Sequence, residues 1–160
     1  MSYLRQIQLQ KQLEEKAKET TENRENAEKV LEEVTTLIDM AKKIDANVAD
    51  AEALLEESSQ AMKVKDFKLA LEKGLECKEK SKRIYEDRVK AIVESSAGMF
   101  QLAESIGKKV AEGEELVKKA NEAVASEDLE KAVELARKSW QLTEKILHEH
   151  LSTRFSSAQS

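Results

Sequence analysis

The chain lacks the residues that usually interrupt helices or build compact pockets. It contains no proline, only four glycines and one cysteine, and aromatic residues make up 4% of its 160 residues. Because a proline ring clashes with the preceding turn and removes a hydrogen bond donor, its absence allows very long helices. One cysteine excludes an intramolecular disulfide. Few aromatic residues and long helices leave little concavity for a substrate.

The chain also lacks long apolar runs and a strong charge of one sign. Residues 1–20 are polar, and no stretch approaches the roughly twenty apolar residues that a membrane span needs. We therefore expect no secretory signal, no transmembrane segment and a cytoplasmic location. The net charge of -5, with both signs interleaved, gives no reason to expect nucleic acid as a partner.

A continuous apolar seam is the strongest pattern present. From Val30 to Met62, apolar or small residues recur at alternating steps of four and three, as on a helix packed along another helix. The seam consists of Val30, Val34, Leu37, Ala41, Ile44, Val48, Ala51, Leu55, Ser58 and Met62. It predicts a long helix covered by its neighbours.

The seam returns in the second half of the chain, which indicates an internal repeat. Pairing residues 39–84 with residues 101–146 gives eleven identical residues in forty-six positions without a gap. Paired residues are 62 positions apart, and we call this offset the repeat spacing. Two of the repeated residues, Asp66 and Asp128, stand where a carboxylate could accept a backbone N–H at the start of the next helix. We therefore place turns at 63–66 and 125–128.

These patterns predict an all-α fold, an elongated antiparallel three-helix bundle or coiled coil with a 62-residue internal repeat. Residues 1–151 form a single bundle with helices at about 4–63, 66–124 and 128–151, followed by a flexible tail at 152–160. The second helix is expected to continue through Ser95–Gly98. The alternative is a compact four-helix bundle, if the chain breaks near Gly98.

The turn at 63–66 should be a two-helix hairpin, because the third helix is too short to reach it. Two helices cannot cover so wide a seam, and exposed apolar patches mark interaction sites. We therefore expect a partner or a second copy to bind there, through Leu54, Leu55, Met62, Phe67, Leu71, Leu75, Ile84 and Tyr85. A homo-oligomer is plausible on this basis.

Candidate chemistry is sparse, so we expect no enzyme, no cofactor and no metal site. His148 and His150 are two residues apart and point in different directions on a helix, so they cannot chelate one metal ion together. Cys77, beside Lys78 and Lys80, is either a reactive thiol or a small packing residue.

Residues 63–90 are locally basic, with ten Lys and Arg against six Asp and Glu. They could contact an anionic membrane or nucleic acid, or they could form ion pairs with acidic residues on the facing helix. The function that the sequence favours is a non-enzymatic helical scaffold or protein-protein interaction module. The alternatives are a helical sensor that binds a small ligand between helices and an anionic-surface binder through residues 63–90.

Overall fold

The computed structural model describes residues 2–107 and 111–159, with the burial of side chains described up to residue 156. Within these residues the chain is all-α, as predicted, and has no strand. Its helices are α1 (Tyr3–Lys43), α2 (Ala49–Lys63), α3 (Phe67–Ser105), α4 (Ala111–Ala125) and α5 (Leu129–Gln159). The chain divides into two compact units, one that ends at Tyr85 and one that begins at Glu86. The division falls inside α3.

The first unit packs the C-terminal part of α1 against α2 and the N-terminal part of α3. The first buried residue of α1 is Ala27, which forms a core cluster with Ala61 of α2 and Ala70 of α3. The Ser58 hydroxyl of α2 donates a hydrogen bond of 2.6 Å to the Ala70 carbonyl of α3. The core of this unit is therefore built where three helices meet.

The second unit combines the rest of α3 with α4 and α5. The Ser96 hydroxyl of α3 donates to the Ala136 carbonyl of α5 at 3.0 Å, and the Ser139 hydroxyl of α5 donates to the Gly113 carbonyl of α4 at 3.2 Å. All four residues are buried. Because the contact residues are small, these helices approach closely enough for side-chain hydroxyls to reach the backbone of a neighbouring helix.

Helices α1, α2 and α4 end in the same way. Asp45, Lys65 and Glu127 have positive φ angles of 58°, 61° and 62°. In each case the next residue donates its N–H to the carbonyl five residues earlier, as Asp66 does to Ala61 at 2.9 Å. This is the Schellman ending of a helix, which satisfies carbonyls that have no partner within the helix.

The two aspartates predicted to cap helices do so. The Asp66 carboxylate accepts the N–H of Leu69 at 3.2 Å, and the Asp128 carboxylate accepts the N–H of Lys131 at 3.4 Å. Each aspartate immediately precedes the first residue of its helix. The predicted turns at 63–66 and 125–128 are therefore confirmed.

The predicted long helix at 4–63 is wrong, because the chain leaves the helix after Lys43 and resumes it at Ala49. Asp45 takes the left-handed conformation, and the Asn47 side chain accepts the N–H of Ala49 at 3.2 Å. Both are residues that favour turns. The break lets α2 fold back along α1.

The predicted helix at 66–124 is also divided. Helix α3 passes through Ser95–Gly98 without interruption, so the expected continuity there is confirmed and the break on which the four-helix alternative depends is absent. The helix ends at Ser105, before Gly107, whose φ is 79°. Residues 108–110 lie outside the described part of the chain.

The third predicted helix, 128–151, extends further than expected. Helix α5 continues to Gln159 and takes in most of the segment predicted as a tail. Ser152 and Ser156 do not stop the helix, because the chain contains no proline and an exposed serine is tolerated in a helix.

Several described features recur at the repeat spacing. Helices α2 and α4 have 15 residues each and start at Ala49 and Ala111. Helices α1 and α3 end at Lys43 and Ser105, and the positive φ angle of Lys65 recurs at Glu127. The bounds of the helices thus follow the spacing found in the sequence.

Candidate interaction surface at the α2–α3 hairpin

Helices α2 and α3 form an antiparallel hairpin that is fixed by contacts between small residues. Close to the turn, the Ser58 hydroxyl reaches the Ala70 carbonyl. Farther from the turn, the Cys77 thiol donates to the Ala51 carbonyl at 3.1 Å. Both donors are fully buried. The hairpin therefore has a defined register, which fixes the positions of the residues on its surface.

The eight residues predicted to bind a partner do not form one exposed patch. Leu75 leaves 49% of its surface exposed, whereas Tyr85 leaves only 7%. The other six are half-buried, namely Leu54, Leu55, Met62, Phe67, Leu71 and Ile84. Met62 and Leu71 pack against the core cluster that contains Ala27. Part of the predicted site is therefore core rather than surface.

The expectation of an uncovered two-helix hairpin is wrong, because α1 covers its third side. A Cβ added at Gly74 would lie 3.1 Å from Val30 Cγ1, so α1 and α3 approach each other closely at this point. Nearby, the Lys78 ammonium lies 2.5 Å from the Glu33 carboxylate. This hydrogen bond is the largest cause that lowers the pKa of Glu33. The turn at residues 44–48 brings α1 into this position.

The hairpin still exposes apolar side chains. Val64 in the turn leaves 75% of its surface exposed, and Leu69 in the first turn of α3 leaves 39%. Together with Leu75 they form the exposed apolar residues near the turn of the hairpin. The seam does not include Val64 and Leu69, because a seam contains the residues that face neighbouring helices. Their positions off the seam and beside a turn were the sequence features that could have identified them as exposed.

Open concavities lie on the described surface of this unit. One is lined by residues of α2 and α3, namely Asp50, Ala53, Leu54, Glu76, Glu79, Lys80 and Arg83. Its charged residues are largely paired with each other, since Lys80 lies 3.9 Å from Asp50 and Arg83 lies 4.0 Å from Glu79. Another concavity is lined by Phe67 and its neighbours in the turn and by residues of α1 that include Lys16 and Thr20.

The basic segment 63–90 has part of its charge paired within the protein. Lys73 lies 3.4 Å from Glu76 and 3.5 Å from Glu57 of α2, and both contacts raise the pKa of its ammonium. Lys78, Lys80 and Arg83 also have acidic partners. These pairs agree with the interpretation in which the basic residues form ion pairs with acidic residues of the same protein.

Cys77 is placed as a packing residue. It is fully buried, and burial is the main cause that raises the pKa of its thiol. Because the thiolate is the reactive form, a raised pKa and a buried sulfur both oppose reaction. Ser139 stands one repeat spacing later and makes the equivalent bond to Gly113.

Over the described part of the chain, no group of three or more His, Cys, Asp or Glu side chains is placed to hold a metal ion. None of the described helices has the length and apolar character required to cross a bilayer. No family model, curated protein or solved structure matches the chain.

Proposed function

We propose that this chain is a non-enzymatic helical scaffold or protein-protein interaction module, with a docking surface at the end of the α2–α3 hairpin. The observation that carries the proposal is the exposure of Val64, Leu69 and Leu75 around a hairpin of fixed register. Apolar side chains that a rigid pair of helices leaves exposed can be buried by a helix from a partner.

The character of the core also supports a scaffold. The largest fully buried side chains in the described residues are valine and threonine, and the others include Cys77 and serines such as Ser58 and Ser81. Small side chains allow close helix contacts and leave little room for a ligand. The sensor alternative needs an apolar cavity between helices with a few convergent polar groups. The concavity that Leu54 lines is instead open and edged by paired charges.

The proposal is tested by replacing exposed apolar residues of the hairpin without disturbing its core. The variant Leu69→Glu/Leu75→Glu keeps the contacts of Ser58 and Cys77 and should retain the helical circular dichroism of the wild type. The wild type is expected to bind a protein partner or a second copy, measured by analytical ultracentrifugation and by retention on immobilised chain. The double variant should lose the part of that binding that the hairpin contributes, so it should bind less than the wild type does.

A matched control separates a specific surface from general stickiness. Leu102 is 52% exposed on α3, far along the helix from the hairpin turn, so Leu102→Glu introduces one such charge, against two in the double variant, at a similar exposure. Binding that survives Leu102→Glu and is reduced in the double variant supports the proposal. Equal binding by all three chains would refute the hairpin as the docking surface.

A further inference from the structure

A second apolar surface lies outside the hairpin, on the two terminal segments of helix. Near the end of α5, Leu151 and Phe155 leave 56% and 71% of their surfaces exposed. Near the start of α1, Leu9 and Leu13 leave 46% and 66% exposed. In both segments the residues are four apart, so each pair lies on one side of its helix. None of the four contributes to the core of its unit.

The repeat spacing identifies what such positions do elsewhere in the chain. Leu151 and Phe155 correspond to Val89 and Val93 of α3, which are buried at 0% and 3% exposure. One further period earlier, Leu151 corresponds to Ala27 of α1, which is also fully buried. The end of α5 therefore carries apolar residues at positions that are core positions in α3.

Inside the first unit, those positions are covered by the next long helix. Ala27 belongs to the cluster against which Leu71 packs, and Val30 meets Gly74. Val30 and Gly74 approach directly, and Ala27 and Leu71, at the same separation in sequence, belong to one packed group, so the two helices run parallel.

The second unit follows the same rule. Ile92 of α3 and Ala136 of α5 have that same separation in sequence, and they line one concavity. The Ser96 hydroxyl of α3 donates to the same Ala136 carbonyl. A long helix and the start of the following long helix thus pair in the same register in both units.

We propose that the end of α5 in one copy binds the start of α1 in a second copy, in the register that the long helices use within the chain. Leu9 and Leu13 stand one repeat spacing before Leu71 and Leu75. In this register Leu151 packs against Leu9 of the second copy, and Phe155 packs against Leu13. All four exposed apolar residues then find an apolar neighbour.

The start of α1 suits a long helix as its neighbour and does not suit a short one. In α3, Ala70 and Cys77 contact the short helix α2. Their counterparts in α1 are Gln8 and Glu15, which are exposed and polar. In contrast, the counterpart of Leu71, which packs against the cluster containing Ala27, is Leu9. The occupant that fits is therefore one long helix, as the end of α5 supplies.

This contact joins two different surfaces, so an assembly of any length keeps one unused start of α1 at one end and one unused end of α5 at the other. A contact of this type does not close at a dimer unless the rotation between copies forms a ring. The surface differs from the α2–α3 hairpin, so the inference does not rest on the proposed function and either can fail alone.

The experiment uses two variants of the full chain, each with one surface blocked. Leu9→Glu/Leu13→Glu blocks the start of α1, and Leu151→Glu/Phe155→Glu blocks the end of α5. Mass is measured by analytical ultracentrifugation and light scattering from about 10 μM to about 1 mM, a range that includes weak association. Helical circular dichroism verifies that the exposed substitutions leave the fold intact.

The expected result is specific to head-to-tail pairing. The wild type and the control Leu102→Glu grow beyond a dimer as concentration rises, while each blocked variant alone does not, and each stays monomeric once Leu69→Glu/Leu75→Glu is added to remove any hairpin contact. In that background, an equimolar mixture of the two blocked variants gives a one-to-one dimer and nothing larger, because each supplies the surface that the other lacks.

Three results would overturn the inference. These are a wild type that stays monomeric over the whole range, a blocked variant that associates as the wild type does, and a mixture that stays monomeric although the wild type associates. Association removed only by Leu69→Glu/Leu75→Glu would assign self-association to the hairpin and refute the terminal contact.

Discussion

Lys65 ends α2 in a conformation that suits glycine better than lysine. Its φ is 61°, and its N–H donates to the Met62 carbonyl at 3.1 Å within the Schellman ending. In this left-handed conformation the Cβ lies close to the following carbonyl oxygen, at a cost of roughly 1–2 kcal/mol. Glycine has no Cβ and avoids that contact. We therefore predict that Lys65→Gly stabilises the protein.

The size of the effect follows from two opposing contributions. Removing the Cβ contact gains roughly 1–2 kcal/mol, and the greater freedom of glycine in the unfolded chain returns about 0.5–1 kcal/mol. Since the Lys65 side chain is exposed, its removal takes no packing from the core. The free energy of unfolding should rise by about 0.5–1 kcal/mol, and the Tm by about 1–4 °C for a chain of this length.

The assay is urea and thermal denaturation followed by circular dichroism at 222 nm. The matched control is Lys63→Gly, the same substitution two residues earlier, where the residue is still helical. There glycine should lower the free energy of unfolding, by less than the roughly 1 kcal/mol that it costs in a helix interior, because Lys63 is the last residue of α2. Opposite signs at Lys65 and Lys63 are the expected result. If both variants lose stability by the same amount, Lys65 is not left-handed and the Schellman ending is wrong.

The remaining predictions concern single positions in the described helices and turns. Gly98→Ala should raise the free energy of unfolding by about 0.5–1 kcal/mol, because Gly98 lies inside α3 and a Cβ there meets nothing within 4 Å. Gly107→Ala, at φ 79°, should lower it by about 1 kcal/mol in the same urea titration, and equal effects would contradict this. Thr143→Val should stabilise the protein by about 1 kcal/mol, because the buried Thr143 hydroxyl finds no hydrogen bond partner among the described residues. The exposed Thr35→Val is its control, and a loss of stability at Thr143 alone would show that the hydroxyl is bonded. Cys77 should react with a thiol reagent far more slowly in native buffer than in urea, since it is fully buried, and equal rates would show an exposed sulfur.

The sequence was sufficient for the fold class and for the hairpin turns, because both depend on local chemistry. The absence of proline allows long helices, and the recurring steps of three and four indicate helices packed along helices. Asp66 and Asp128 accept backbone N–H groups close to them in sequence, so their role is visible without the tertiary structure. A capping residue acts within one helical turn and can be identified from its neighbours.

The sequence misled at residues 44–48, because the seam continues through the break. Ile44 and Val48 are both buried in the structure, at 6% and 8% exposure, although the chain between them is not helical. Apolar periodicity reports burial, and it cannot distinguish a helix from a turn that buries residues at the same spacing. The signals that mark the turn are Asp45 and Asn47, together with Lys42 before them.

The candidate site was predicted only in part for the same reason. Leu71 and Tyr85 were expected to face a partner because the hairpin was expected to stand alone. The break at 44–48 folds α2 back and brings Ala27 and Val30 of α1 against the hairpin, which covers Leu71. Burial at Leu71 depends on a segment that is distant in sequence, and local pattern carries no information on that contact.

The repeat spacing is most informative where the residue type changes and the interaction does not. Cys77 and Ser139 differ in their donor atom, yet each donates to the carbonyl of the residue 26 positions earlier on the short helix. Both are fully buried and both are small. The requirement at this position is therefore a small side chain with a donor, which allows close packing of a short and a long helix. Glu15, at the corresponding position of α1, meets neither condition and is exposed, as expected where no short helix packs.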